Sequence, residues 1–381
     1  MKNILAIALV FALFGLSRCT DNQTAQEVQL VRADSVIRIP INSNATATSR
    51  NVRYFQDKGE EYLAIENEQN PSISIYRLSD CSHIKDVIPC NEGPNGIGSP
   101  MYGFDIINFD TIIVAPTGIG NRLCIIDSAA TLIKNIDYPI NPRPLVTVAR
   151  ILQSYYGLGI YKIDSVLFVC NSCRDTEENY IRMHGLPIGY RYNINTEQVS
   201  LSQELYPDIS NAKPYISLGV SSVMYINGKY ILYYDKGHQI FVSNGDTTWT
   251  EHLLRSKYIK DFKPKTLAGS IEAEMIQHIE EPEYRAMIYD KYRNLYYRFA
   301  CPSIEVKPED DVFTLGEFRS LFSVMIIDKD FNIIGETLMP EKTYNVNMFF
   351  VNEAGLWIST NNVENPKYEE DAINFELFIL N

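Results

Sequence analysis

The chain has 381 residues, 45% hydrophobic and 12% aromatic, with 25 Tyr against 2 Trp, enough apolar material for a packed core and too much for a disordered chain. A formal net charge of -13 and a pI near 5.0 exclude nucleic acid as a partner, because duplex binding draws its affinity from lysines and arginines that displace counterions. The length admits two or three ordinary domains or one large all-β unit, and only the order of elements decides between them.

Residues 1–19 have the anatomy of a signal peptide: Lys2, an apolar run over residues 4–16, then polar sequence from Ser17, too short to span a bilayer. Leu16-Ser17-Arg18-Cys19 resembles the lipobox of bacterial lipoproteins, with Arg18 where a small residue normally stands. The resemblance implies lipidation of Cys19. Thr20, in place of a retention aspartate, implies an outer-membrane destination. Residues 20–27 are polar and read as a tether, leaving 28–381 as one domain. Once Cys19 is set aside, the even set of cysteines permits disulfides outside the cytosol. Cys81 with Cys90, which bracket a short strand, and Cys170 with Cys173 are the candidate pairs. No second pair stands at zinc spacing, so no metal or other cofactor is expected.

Six segments then repeat one pattern, a strand, a tight polar turn and a second strand: residues 54–65, 106–114, 161–169, 224–233, 287–297 and 349–358. Asn227-Gly228 and Asp57-Lys58-Gly59 supply the positive φ angles that hairpin turns require. A third, alternating strand follows each hairpin, at 72–78, 122–127, 190–194, 239–243, 323–328 and 375–380. A fourth follows in all units but the last, at 83–88, 131–136, 198–205, 249–254 and 333–338. The chain ends where the last fourth strand is due, and residues 28–39 form a strand with no hairpin partner. The pattern is that of an all-β, six-bladed β-propeller with four-stranded blades, its ring closed by the N-terminal strand. Residues 271–280 read as a helix rather than part of a seventh blade.

The lipobox-like Cys19, the turn Asn91-Glu-Gly-Pro-Asn-Gly-Ile-Gly98 and the strand openings at Asp110-Thr-Ile-Ile and Asp164-Ser-Val-Leu resemble a family of bacterial envelope lipoproteins classed as a domain of unknown function. The resemblance implies a six-bladed propeller in the cell envelope and carries no assigned chemistry.

In such a blade the first-to-second and third-to-fourth turns lie on one face of the disc. Second-to-third loops and blade connections lie on the other, and every long insertion falls there. That long-loop face is where a site is expected. Candidate binding residues are Glu92 and Asn95 in the glycine-rich turn, Arg143, Arg150, Tyr155 and Tyr156 in the next connection, and Arg182 and His184 in a long insertion, since mixed charges with aromatics suit sugars or carboxylates. No Gly-x-Ser-x-Gly elbow, His-Glu-x-x-His or P-loop occurs, and no catalytic residue is assigned. The sequence therefore reads as a binding or scaffolding module for a protein partner or glycan, touching the membrane through its lipid alone. The alternative is a lactonase-like propeller hydrolase or lyase with a metal or carboxylates at the channel mouth, for which only Glu92, Asn95 and Asp105 stand near.

Overall fold

The computed structural model describes residues 27–41, 45–117, 122–138, 152, 154, 157, 159–170, 185–208, 221–245, 247–262 and 269–381. Six four-stranded antiparallel sheets form the blades of a propeller. Blade 1 contains β2 (Val52–Asp57), β3 (Glu60–Asn67), β4 (Ser72–Arg77) and β5 (His83–Val87); blade 2 contains β6 (Met101–Asn108), β7 (Thr111–Pro116), β8 (Arg122–Ile126) and β9 (Leu132–Asp137). Blade 3 is β10 (Ile160–Ile163), β11 (Val166–Cys170), β12 (Gly189–Asn193) and β13 (Gln198–Leu201); blade 4 is β14 (Ser221–Ile226), β15 (Lys229–Tyr234), β16 (Gln239–Ser243) and β17 (Trp249–Leu253). Blade 5 is β18 (Glu283–Asp290), β19 (Leu295–Cys301), β20 (Ser323–Asp328) and β21 (Ile333–Leu338). Blade 6 takes β22 (Phe349–Val351), β23 (Leu356–Ser359) and β24 (Ala372–Leu380) from the C-terminus and its outer strand, β1 (Leu30–Pro40), from the N-terminus.

Local sequence explains the hairpins. Asn227 and Gly228 sit at φ 51 and 81, the two consecutive positive angles of a type I′ turn, and they set the register that pairs Ile226 with Lys229. Inner strands are buried on both faces, so they read as nearly continuous apolar runs; all seven residues of β19 are buried. Their side chains form the cores between neighbouring blades. Phe168 and Cys170 of blade 3 pack with Val223 and Leu232 of blade 4, and Tyr297 and Phe299 of blade 5 pack with Phe349 and Ile358 of blade 6.

The seam closes as the sequence implies. β1 pairs antiparallel with β24 from Leu30↔Leu380 to Pro40↔Ala372, with an irregularity between Arg32 and Val36. Arg32 Nη2 donates to Glu376 Oε1 at 2.7 Å. The strand also reaches blade 5, where Val28 N donates to Ile334 O at 3.0 Å and Leu30 N to Thr337 Oγ1 at 2.8 Å. Ile39 is fully buried between blades 6 and 1, against Phe375, Val52 and Leu63.

The disulfide expected between Cys81 and Cys90 is not formed, and both are free thiols. Cys81 lies in the turn before β5 and Cys90 beyond its far end. Five extended residues at about 3.3 Å each put about 16 Å between those positions, whereas bridged Cα atoms stand within about 7 Å. Bracketing a strand therefore separates two cysteines instead of joining them. Cys170 is likewise a free, buried thiol, pushed up to about 12 by burial; Cys173 lies outside the described residues. The helix read over 271–280 is present as α1 (Ile271–Glu280).

If β1 is what closes the ring, Ile39→Ala is expected to lower unfolding stability by about 2–5 kcal/mol in urea titration. Val36→Ala, on the solvent side of the same strand, is expected to change it by less than about 0.5 kcal/mol. Equal effects at the two positions would contradict the seam.

Candidate functional site

The long-loop face is held by buried polar contacts that start from a few residues. Between β17 and β18, Ser270 caps α1 by accepting from Ala273 N; between β19 and β20, Asp311 caps α2 (Val312–Phe318) by accepting from Phe313 N and Thr314 N. Arg319, just past α2, is fully buried at φ +48. Its guanidinium donates to the last carbonyls of α1, at 2.9 Å to Ile279 O and 2.8 Å to Glu281 O. Beneath it, Glu283 Oε1 meets Arg285 Nε at 2.7 Å and Arg319 Nε at 3.5 Å, with Lys236 Nζ at 3.8 Å from Oε2. Burial alone would raise the Glu283 carboxyl, but Arg285, Arg319 and Lys236 outweigh it and hold the group well below the usual range. Arg50 clamps α2 to blade 1 through a two-pronged pair with Glu317, at 3.1 and 2.9 Å.

Three described residues of the connection between β9 and β10 also contact the blades on this face. Leu152 bridges to Gly103 of blade 2, Ser154 N donates to Asn51 Oδ1 of blade 1, and Gly157 lies against the Tyr233 hydroxyl and the Met287 carbonyl of blades 4 and 5. The close approach requires the glycine at 103, since at φ +102 a Cβ would stand 2.8 Å from Leu152 O. Gly103 N donates to Glu66 Oε1 at 3.0 Å. Burial, with Glu68 nearby, pushes the Glu66 carboxyl up to about 7 against hydrogen bonds from Asn51 and Gly103 and the pull of Arg53.

The glycine-rich turn before blade 2 closes on itself: Ile97 N donates to Cys90 O at 2.8 Å and Gly98 N to Asn91 O at 3.0 Å. Ile97 is plugged into the core beside Ile75 and Phe104. Glu92 and Asn95 are exposed on the tip, and neither is among the residues lining the axial cavity. Arg143, Arg150, Tyr155, Tyr156, Arg182 and His184 lie outside the described residues, as does Cys19.

A cavity of about 350 Å³ lies on the axis. At one end are Ser154 and Gly157; at the other are Lys291 and Tyr292 of the β18–β19 turn, on the short-turn face. Its acid is Asp105, which faces Arg53 at 3.7 Å and accepts from Ile160 N at 2.7 Å. Tyr54 donates to Glu61, and burial together with that carboxylate pushes its phenol well up. Lys291 stands 5.0 Å from the centre of the Tyr292 ring. Sequence reasoning placed Asp105 near the channel but missed Tyr54, Tyr289, Lys291 and Tyr292. The signal was their place in the first hairpin of blades 1 and 5, whose first strand lines the axis. Among the described residues no group of three His, Cys, Asp or Glu is placed to hold a metal ion, and no helix is long and apolar enough to cross a membrane.

Two substitutions test the electrostatics of this face. Glu283→Gln removes the buried carboxylate that Arg285, Arg319 and Lys236 share, leaving Lys236 with Glu281 at 3.8 Å, and is expected to cost about 3–5 kcal/mol in urea unfolding. Glu66 acts with the opposite sign. Its folded value, about 7, lies above the ordinary 4.5, so the stability it contributes is fully present below pH 4.5 and is lost as pH rises through 7. Glu66→Gln is therefore expected to gain on the wild type with rising pH, by on the order of 3 kcal/mol between acid and mildly basic conditions; a difference that does not vary with pH would refute the assignment.

The family model for the domain of unknown function DUF4221 matches residues 27–338. The solved structure of a DUF4221 member from Bacteroides vulgatus is 26% identical, with a TM-score of 0.80 over 94% of this chain and 99% of its own. A candidate exported protein of Bacteroides fragilis, 9% identical, has a TM-score of 0.52 over 95% of this chain and 98% of its own. No curated protein matches the sequence. With the family model spanning well over half of the residues, and a relative of the same family sharing the ring, this chain belongs to the DUF4221 family.

Proposed function

We propose that the chain is an exported, lipid-anchored propeller that holds a partner protein or an extracellular glycan on its long-loop face without transforming it. The observation that supports this reading is the set of contacts that hold the described part of that face. Arg319 fixes the end of α1, Arg50 clamps α2, and the turn over residues 90–98 is closed by its own backbone and anchored by Ile97. Groups held by such contacts lose little freedom when a partner arrives. The hydrolase or lyase alternative finds less support, since Asp105 in the axial cavity is already engaged by Arg53 and the Ile160 backbone. Export is supported by the apolar run over residues 4–16 and by the Bacteroides fragilis relative; the lipid anchor is supported by Cys19.

Two experiments test it. In cells, Cys19→Ser is expected to abolish lipid labelling and move the protein out of the membrane fraction, and unchanged membrane association would reject the anchor. In a glycan and metabolite screen, the Arg143→Ala/Arg182→Ala double variant is expected to bind at least about ten-fold more weakly, as the loss of two charge-assisted contacts implies. Unaltered binding would reject those residues as the site.

A further inference from the structure

We propose that the axial cavity is a second binding site, which takes a small apolar guest, aromatic or branched aliphatic, from the short-turn side of the disc. The volume of about 350 Å³ falls within the range of small-molecule pockets, about 300–1,000 Å³. Met224, Ile226, Met287, Phe349, Phe350 and Val351 supply apolar parts of the wall, which Arg53, Asp105 and Lys291 also line. Tyr54 stacks on Phe350 with ring centres 5.8 Å apart and planes 11° off parallel, which extends the flat apolar surface toward the mouth.

The polar groups decide the class of guest. Tyr54 donates to Glu61; the Tyr289 hydroxyl donates to Asn294 Oδ1 at 2.8 Å and accepts from Asn227 Nδ2 at 3.2 Å; Asp105 is engaged by Arg53 and Ile160 N. A polyhydroxylated ligand has to break these bonds or lose its own to water, and each unmatched group costs about 1–3 kcal/mol. An apolar guest breaks none and removes ring and methyl surface from water. Its route is set by the backbone. Ser154 and Gly157 line the cavity at its long-loop end, whereas Lys291 and Tyr292 belong to a short exposed turn. This site lies on the opposite face from the one under Proposed function, so either can fail without the other.

The neutral dye N-phenyl-1-naphthylamine tests the inference with the purified chain. Fluorescence is expected to rise saturably at one equivalent per chain. Ile226→Trp and Ile288→Trp, which crowd the cavity, are expected to weaken binding at least ten-fold, and Leu253→Trp, on exposed β17, to leave it unchanged. Because a crowded variant can fail to fold, methyl NMR of the wild type gives a second readout, in which the Met224 and Met287 signals shift with the dye. A saturable signal with both methyls unmoved, no saturable signal, or undiminished binding in folded Ile226→Trp would each overturn the proposal.

Discussion

A propeller blade buries its two faces only against the blades beside it, so the ring has no stable open form of the same size. In this chain the C-terminus supplies just three strands of blade 6, and without β1 the outer edge of β24 would present unpaired backbone groups to solvent. β1 supplies the missing ladder and, through Val28 and Leu30, hydrogen-bonds to blade 5 as well. Phe375, Ile39 and Val52 then pack across the join between blades 6 and 1. The shared axis that the first strands of all six blades line follows from that one pairing.

Inside the ring, charge is tolerated where it does structural work. Arg298 is fully buried, lies 3.6 Å from the Tyr284 ring centre, and donates to Tyr234 O and Gly237 O at 3.0 and 2.8 Å. Arg319 does the same for the end of α1, and Glu283 sits among cations that offset its loss of water. These groups hold irregular backbone in place because carbonyls without a regular ladder partner need donors from elsewhere. The long-loop face is thus shaped by buried arginines in both the strands and the connections, Arg298 in β19 and Arg319 just past α2.

The blades were legible in the sequence because they are local. Asn227-Gly228 fixes a hairpin through two backbone angles, and the strand deficit after residue 380 matches the spare strand at residues 28–39 by simple count. Helix α1 was legible from its own ten residues. The Cys81–Cys90 pairing failed because proximity along a strand was read as proximity in space. The cavity was hidden for a related reason. Ser154 is held at its edge by Asn51 and its wall is extended by Tyr54 meeting Phe350, contacts between residues far apart in the chain that no periodicity announces. Reading the long loops as the whole site also drew attention away from the short turns, where Lys291 and Tyr292 stand.

The hydrogen bonds between Gln29 and Asn381 join residues 352 positions apart. Contacts of that span come late, since the intervening chain must first be brought to order and its loop entropy surrendered. Blades 1 to 5 each assemble from consecutive strands, whereas β1 waits for β24. In such an order of assembly the blades remain an open arc until β24 is available to pair with β1.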